Sequence, residues 1–188
     1  MDFKEQYLSE SKKIIDRLDR KSIDNAIKVI LDAHERNSQI FLAGNGGSAS
    51  TASHFANDLA KFCSVEGKKR FRVTSLTDNI STITALANDI SYNKIFSEQL
   101  LNHINKDDLL IVITASGNSP NIIEAVKTAK QHGAKILAFL GFNGGKLKSM
   151  ADAYVLAEYD DFGQAESIHL LLEHLIVNFI RKKLSGEI

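Results

Sequence analysis

His54 and Asp58 stand four residues apart, so on a helix they project from one side and offer an imidazole beside a carboxylate. That pairing suits a divalent metal, or an acid and base working on one substrate. A second set of ionisable groups, Glu166, His169, Glu173 and His174, interrupts a late run whose apolar residues, Ile168, Leu170, Leu171, Leu172, Leu175, Ile176, Val177, Phe179 and Ile180, cover nearly the whole circumference of a helix. A helix of that kind is buried, in a core or a subunit interface. Buried ionisable groups are retained when they are paired, metal-bound or catalytic. Glu166 and His174 are eight residues apart, about 80° around a 3.6-residue helix, so both can face one cleft two turns apart. His169 and Glu173, at i and i+4, are the competing pair, with a structural role as its alternative.

Two turns could hold the anion that such groups would act beside. Ala43-Gly44-Asn45-Gly46-Gly47-Ser48 follows a short apolar run and leads directly into the helix that carries His54 and Asp58. The free N–H groups and positive dipole end of that helix favour a phosphate. Thr114-Ala115-Ser116-Gly117-Asn118-Ser119-Pro120 supplies several hydroxyls just before another helix, with proline in its first turn. Hydroxyls and amides can hold a dianion without lysine, and no Gly-Lys-Ser or Gly-Lys-Thr is present, which disfavours a nucleoside triphosphate. Gly44-x-Gly46 only echoes a dinucleotide fingerprint, since its third glycine would fall at Ala49. The loop Gly141-Phe142-Asn143-Gly144-Gly145-Lys146 reads as a structural turn.

These groups must be positioned by strands and helices in alternation. Residues 1–37 form a helical arm, with Ile14, Ile15, Leu18, Ile23, Ile27, Ile30 and Leu31 at helical spacing and Ser22 as the N-cap of its second helix. Buried strands are expected at Ile40 to Ala43, Phe71 to Leu76, Leu109 to Thr114, Ile136 to Leu140 and Tyr154 to Ala157. Helices are expected at Ile80 to Ala87, Ile95 to Ile104, Asn121 to His132 and Phe162 to Leu184. The alternation predicts an α/β protein with a mostly parallel sheet between helix layers, and ligands bind at the carboxyl ends of such strands. The glycine turn, Asp78-Asn79 and the Thr114 to Pro120 loop all fall on that edge.

A length of 188 residues, with 23 basic and 23 acidic side chains, suits one domain and gives no nucleic-acid surface. Lys68-Lys69-Arg70 and Arg181-Lys182-Lys183 read as solvated loop or helix ends. The single cysteine, Cys63, excludes an intrachain disulfide. No signal peptide or membrane span is evident, so a cytoplasmic protein with no membrane partner is expected.

With Gly44-Asn45-Gly46-Gly47-Ser48, His54-Phe55-Ala56, Ala87-Asn88-Asp89, Ser116-Gly117-Asn118-Ser119 and the late helix reaching His174, nearly the whole chain resembles a sugar isomerase (SIS) domain, and more closely the D-sedoheptulose 7-phosphate isomerases. The resemblance implies a five-stranded parallel sheet sandwiched by helices, residues 38–188 as the α/β core, and a homotetramer with active sites at subunit interfaces. It implies that Ser48, Thr114, Ser116 and Ser119, with Ala115 in the same loop, cradle the sugar phosphate. Asn45, Gly46 and Gly47 would line the site, and Asn88 and Asp89 would reach sugar hydroxyls. It further implies Asp58 as base, His174 as acid, and, in the relatives that bind zinc, ligands at His54, Asp58, Glu166 and His174.

The chain departs from that family twice: aspartate replaces glutamate at Asp58, and glutamate replaces glutamine at Glu166. The lost methylene withdraws the base by about 1.5 Å, one carbon–carbon bond, and misplacement on that scale can cost about a hundredfold in rate. Glu166 could compensate as a substrate contact, an added anionic ligand or an alternative base. Two histidines with two carboxylates suit zinc, with manganese or iron(II) as alternatives. The expected activity is aldose-ketose isomerisation of a seven-carbon sugar phosphate through an enediol, feeding heptose into a lipopolysaccharide or capsule. The alternatives are a non-catalytic SIS module that senses a sugar phosphate or binds a replication initiator, and an isomerase for another sugar phosphate.

Overall fold

The computed structural model describes residues 2–188. Five parallel strands form one sheet in the order β2-β1-β3-β4-β5: β1 is Gln39–Gly44, β2 Arg72–Ser75, β3 Leu109–Thr114, β4 Lys135–Gly141 and β5 Ala153–Ala157. β3 is buried at every position, as its run of Leu, Ile and Val requires when helices cover both faces. Each expected strand is present, with no end differing by more than one residue.

The helices are α1 (Phe3–Arg17), α2 (Arg20–Glu35), α3 (Gly47–Asn57), α4 (Ile80–Asp89), α5 (Ser97–Leu101), α6 (Pro120–Gln131), α7 (Leu147–Met150) and α8 (Phe162–Ser185). One core joins α1, α2, α3 and α8 to one sheet face through Ile30, Phe55, Ile111, Phe139 and Leu172; the other sets α5, α6 and α7 on the opposite face through Phe41, Leu100, Val126 and Leu140. Asp19, not Ser22, caps α2: its carboxylate accepts from the Lys21 amide, while the Ser22 hydroxyl donates to the Asp19 carbonyl. An aspartate held extended just outside the first turn is the better acceptor for orphan N–H groups. The helix expected at Ile95 to Ile104 is shortened to α5, with a single 3-10 turn at Tyr92–Lys94 before it. Gln164 ties α1 to α8, donating to the Tyr7 carbonyl and accepting from Ser11.

The chain leaves β1 for β2 on one side and places β3 on the other. The crevice between the carboxyl ends of β1 and β3 is therefore the topological switch point, where open α/β sheets bind ligands. Among the described residues, no helix is long and apolar enough to cross a membrane.

Candidate functional site

At that switch point Asn45, Ser48, Thr114, Ala115, Ser116, Ser119, Phe162 and Glu166 line a cavity of about 100 Å³. This suits one small anion, since sites for larger organic ligands run to roughly 300–1,000 Å³. Thr114 Oγ1 accepts from the Gly117 amide at 3.3 Å and Ser116 Oγ accepts from the Asn118 amide at 3.2 Å, which leaves both hydroxyl protons free to donate. α3 and α6 both start here, so two helix N-termini point their dipoles at the cavity, although α6 opens on Pro120, which has no N–H, and its Ile122 amide donates to Asn121 Oδ1. Gly117, at φ +62°, presses against the loop after β4, where a Cβ would lie 2.0 Å from the Gly144 carbonyl oxygen. The Leu147 amide donates to the Gly117 carbonyl at 3.1 Å, and the Lys146 amide to Asn118 Oδ1 at 3.1 Å. The Gly141 to Lys146 loop thus buttresses the cradle.

Asn45 and Asn121 exchange amide hydrogen bonds of 2.9 and 2.8 Å, which tie the turn after β1 to the first turn of α6, and the Tyr92 hydroxyl donates to Asn45 Oδ1 at 3.1 Å. Neither Asn121 nor Tyr92 was singled out by sequence, because an isolated asparagine and tyrosine carry no spacing signal. Asn88 and Asp89 end α4, exposed and hydrogen-bonded to each other at 2.8 Å; they do not line this cavity. Asp78 accepts from Ser53 and serves the local hydroxyl network.

The acid–base groups gather further along α3 and α8. Ligand-type atoms of His54, Asp58, Glu173 and His174 all lie within 4.8 Å of one another, an arrangement that could hold a metal. His54 Nε2 is 3.7 Å from Asp58 Oδ2, His174 Nε2 is 3.4 Å from Glu173 Oε2, and the two imidazoles meet edge to face with centroids 4.9 Å apart. Asp58 opens a π-helical turn, Asp58–Phe62, closed by the Cys63 amide donating to the Asp58 carbonyl at 2.8 Å. Asp58 itself keeps regular helical dihedrals, and its amide donates to the His54 carbonyl, so the widened turn redirects the chain that follows it, a feature frequent at functional sites.

Glu173 is 1% exposed, and neither of its oxygens makes a hydrogen bond. Burial, with the neighbouring Asp58 charge adding to it, pushes its carboxyl up to about 8. Burial likewise lifts the Cys63 thiol to about 12, with Asp58 and Glu173 adding to it, so that sulfur stays protonated and unreactive. His169 is also buried and held neutral, its value lowered to about 4 by burial; its ring packs against Phe139. The expected His169–Glu173 pairing is not made: neither His169 nitrogen has a hydrogen-bond partner. Glu166, expected beside His54, Asp58 and His174, is not in that group. It lies at the anion pocket against Gly47, where a Cβ would fall 2.2 Å from Glu166 Oε2. Glu173 stands in the group instead, because one residue back from His174 the helix turns by about 100°, which points Glu173 inward toward α3 while His174 faces out.

The SIS domain family model matches residues 6–141, which places this five-stranded parallel sheet and its switch-point cavity in the class of SIS domains. A phosphoheptose isomerase from Helicobacter pylori is 35% identical over 160 residues, 85% of this chain and 83% of its own length. The structure of a phosphoheptose isomerase from Francisella tularensis superposes with a TM-score of 0.88 at 29% identity, covering 96% of this chain and 95% of that one. That of Neisseria gonorrhoeae gives 0.81 at 29% identity over 93% and 91%. The chain belongs to the phosphoheptose isomerase family.

Proposed function

We propose that this protein isomerises D-sedoheptulose 7-phosphate to D-glycero-D-manno-heptose 7-phosphate. The observation that carries the reading is the course of two touching helices. α3 and α8 both begin at the anion pocket, with Ser48 and Glu166, and both carry acid–base groups two turns further on, His54 with Asp58 and His174. One end holds a phosphate and the other handles protons, the division of labour an open-chain sugar phosphate needs. Binding energy from the phosphate fixes the distant carbonyl for reaction.

Asp58 takes the proton alpha to the carbonyl and returns it to the neighbouring, former carbonyl carbon, while His174, half exposed at the cluster's rim, shuttles a proton between the enediol oxygens. Glu166, beside the phosphate cradle, orients a sugar hydroxyl and remains the alternative base. His54, Asp58 and His174 would hold a divalent metal, and two imidazoles with carboxylate suit zinc. Bound there, it would polarise the substrate's carbonyl oxygen. Asn88 and Asp89, at the end of α4, would meet the sugar's hydroxyl tail in a homotetramer whose sites lie between subunits. The setting is cytoplasmic, and the product would enter a surface polysaccharide of lipopolysaccharide or capsule type.

The test is conversion of sedoheptulose 7-phosphate by purified protein, with and without added divalent metal. Asp58→Asn and His174→Ala are each expected to lower kcat by about 10²–10⁴, the usual worth of one general acid or base. No turnover by the unmutated protein under any metal condition would sink the proposal.

A further inference from the structure

Glu173 is a carboxylate that the proposed proton transfers do not use, in a place where a carboxylate is costly. It sits 1% exposed in the seam between α3 and α8, among Leu172, Ile176 and Val177; its oxygens make no hydrogen bond of ordinary geometry, their polar neighbours being Asp58 and, at 3.4 Å, His174 Nε2. An apolar residue would pack there without the desolvation penalty of an orphaned polar group. Its carboxylate is aimed at His54, Asp58 and His174, all with ligand atoms within 4.8 Å. Glu166, the other carboxylate of α8, stays with the anion pocket.

We propose that Glu173, and not Glu166, is the fourth protein ligand of a divalent cation at this cluster. The inference rests on the metal reading given under the proposed function. It also accounts for the shortened Asp58, since two carboxylates approaching from opposite helices replace the reach of one longer side chain. The resulting set of two imidazoles and two carboxylates neutralises a dication within the seam, and it leaves Glu166 free to contact the sugar. Binding closes the α3–α8 seam and satisfies the oxygens that are otherwise orphaned, so the cation stabilises the fold as well as serving chemistry.

The experiment uses chelator-stripped full-length protein, with Zn²⁺ titrated against a chromophoric chelator and thermal unfolding recorded with and without Zn²⁺. The unmutated protein is expected to bind one Zn²⁺ per chain and to gain a metal-dependent rise in Tm. Glu173→Gln is expected to weaken Zn²⁺ by at least about 10–100-fold, since even indirect partners of metal ligands are worth that much, and to lose most of the Tm rise. Glu166→Gln is expected to keep both. Glu173→Leu, which removes the orphaned group, is expected to fold at least as stably as the stripped parent while binding Zn²⁺ weakly, so poor folding of one variant leaves the question decidable. Normal Zn²⁺ affinity in both Glu173 variants, or loss in Glu166→Gln instead, would overturn the assignment. Isomerase activity measured on the same preparations separates the cases: turnover with unaltered metal binding in the Glu173 variants sinks this inference alone, whereas absent turnover sinks the functional reading.

Discussion

At the scale of single residues, Glu173 and His169 are buried ionisable groups whose protonation acts on stability in opposite directions. Glu173 binds its proton more tightly folded than unfolded, its carboxyl raised from the ordinary 4.5 to about 8, first by burial and then by Asp58. Its contribution is therefore complete below about pH 4.5 and is lost as pH rises to 8. His169 is lowered by burial from the ordinary 6.5 to about 4, so stability is gained as pH rises from 4 to 6.5. Between roughly 4.5 and 6.5 the Glu173 slope is opposed by His169 and by His34, which burial also lowers, and from 6.5 to 8 Glu173 alone of these groups acts. Metal-stripped protein should thus show a falling urea midpoint between pH 6.5 and 8, and Glu173→Gln should flatten it. An unmutated profile that is level across that window would contradict the burial argument.

At the scale of elements, two glycines test different joints. Gly117 combines φ +62° with a Cβ position 2.0 Å from the Gly144 carbonyl oxygen, and neither backbone can yield cheaply. The left-handed conformation alone costs about 1–2 kcal/mol for a residue with a side chain, and each kcal/mol is worth roughly 2–4 °C at this chain length. Gly117→Ala should lower Tm by about 5 °C or more and raise KM through the distorted cradle, as read by thermal unfolding and steady-state kinetics. At Gly47 a methyl would meet only the far end of the Glu166 side chain, which can swing aside. Gly47→Ala should leave Tm nearly unchanged while altering KM, so equal Tm losses in both variants would refute this distinction.

At the scale of the molecule, α8 buries one face in its own core through Ile168, Leu172, Ile176 and Ile180 yet exposes Leu171, Leu175 and Phe179 along another. α4 buries no residue, and Ile80, Ile90 and Tyr92 around it are exposed. Apolar surface of this extent is characteristic of a subunit interface, in keeping with the proposed homotetramer. Light scattering coupled to gel filtration should return four times the chain mass. Leu175→Glu should lower that mass and leave the far-ultraviolet circular dichroism spectrum in place. A monomer at micromolar concentration for the unmutated protein would refute the assembly.

Much of this architecture is legible from local pattern. Strand runs such as Leu109 to Thr114, the glycine turn into α3 and the Pro120 start of α6 are written by short-range sterics and burial, so the order of elements and the edge that binds ligand follow from sequence. The i,i+4 rule likewise brings His54 near Asp58. What spacing along one helix could not decide was which of two carboxylates on α8 meets them. Glu166 and Glu173 both share a helix with His174, and only the packing of α8 against α3 assigns Glu166 to the anion pocket and Glu173 to the seam. Periodicity specifies which residues share a face of one helix, while the neighbour that face meets is set by contacts between segments more than a hundred residues apart.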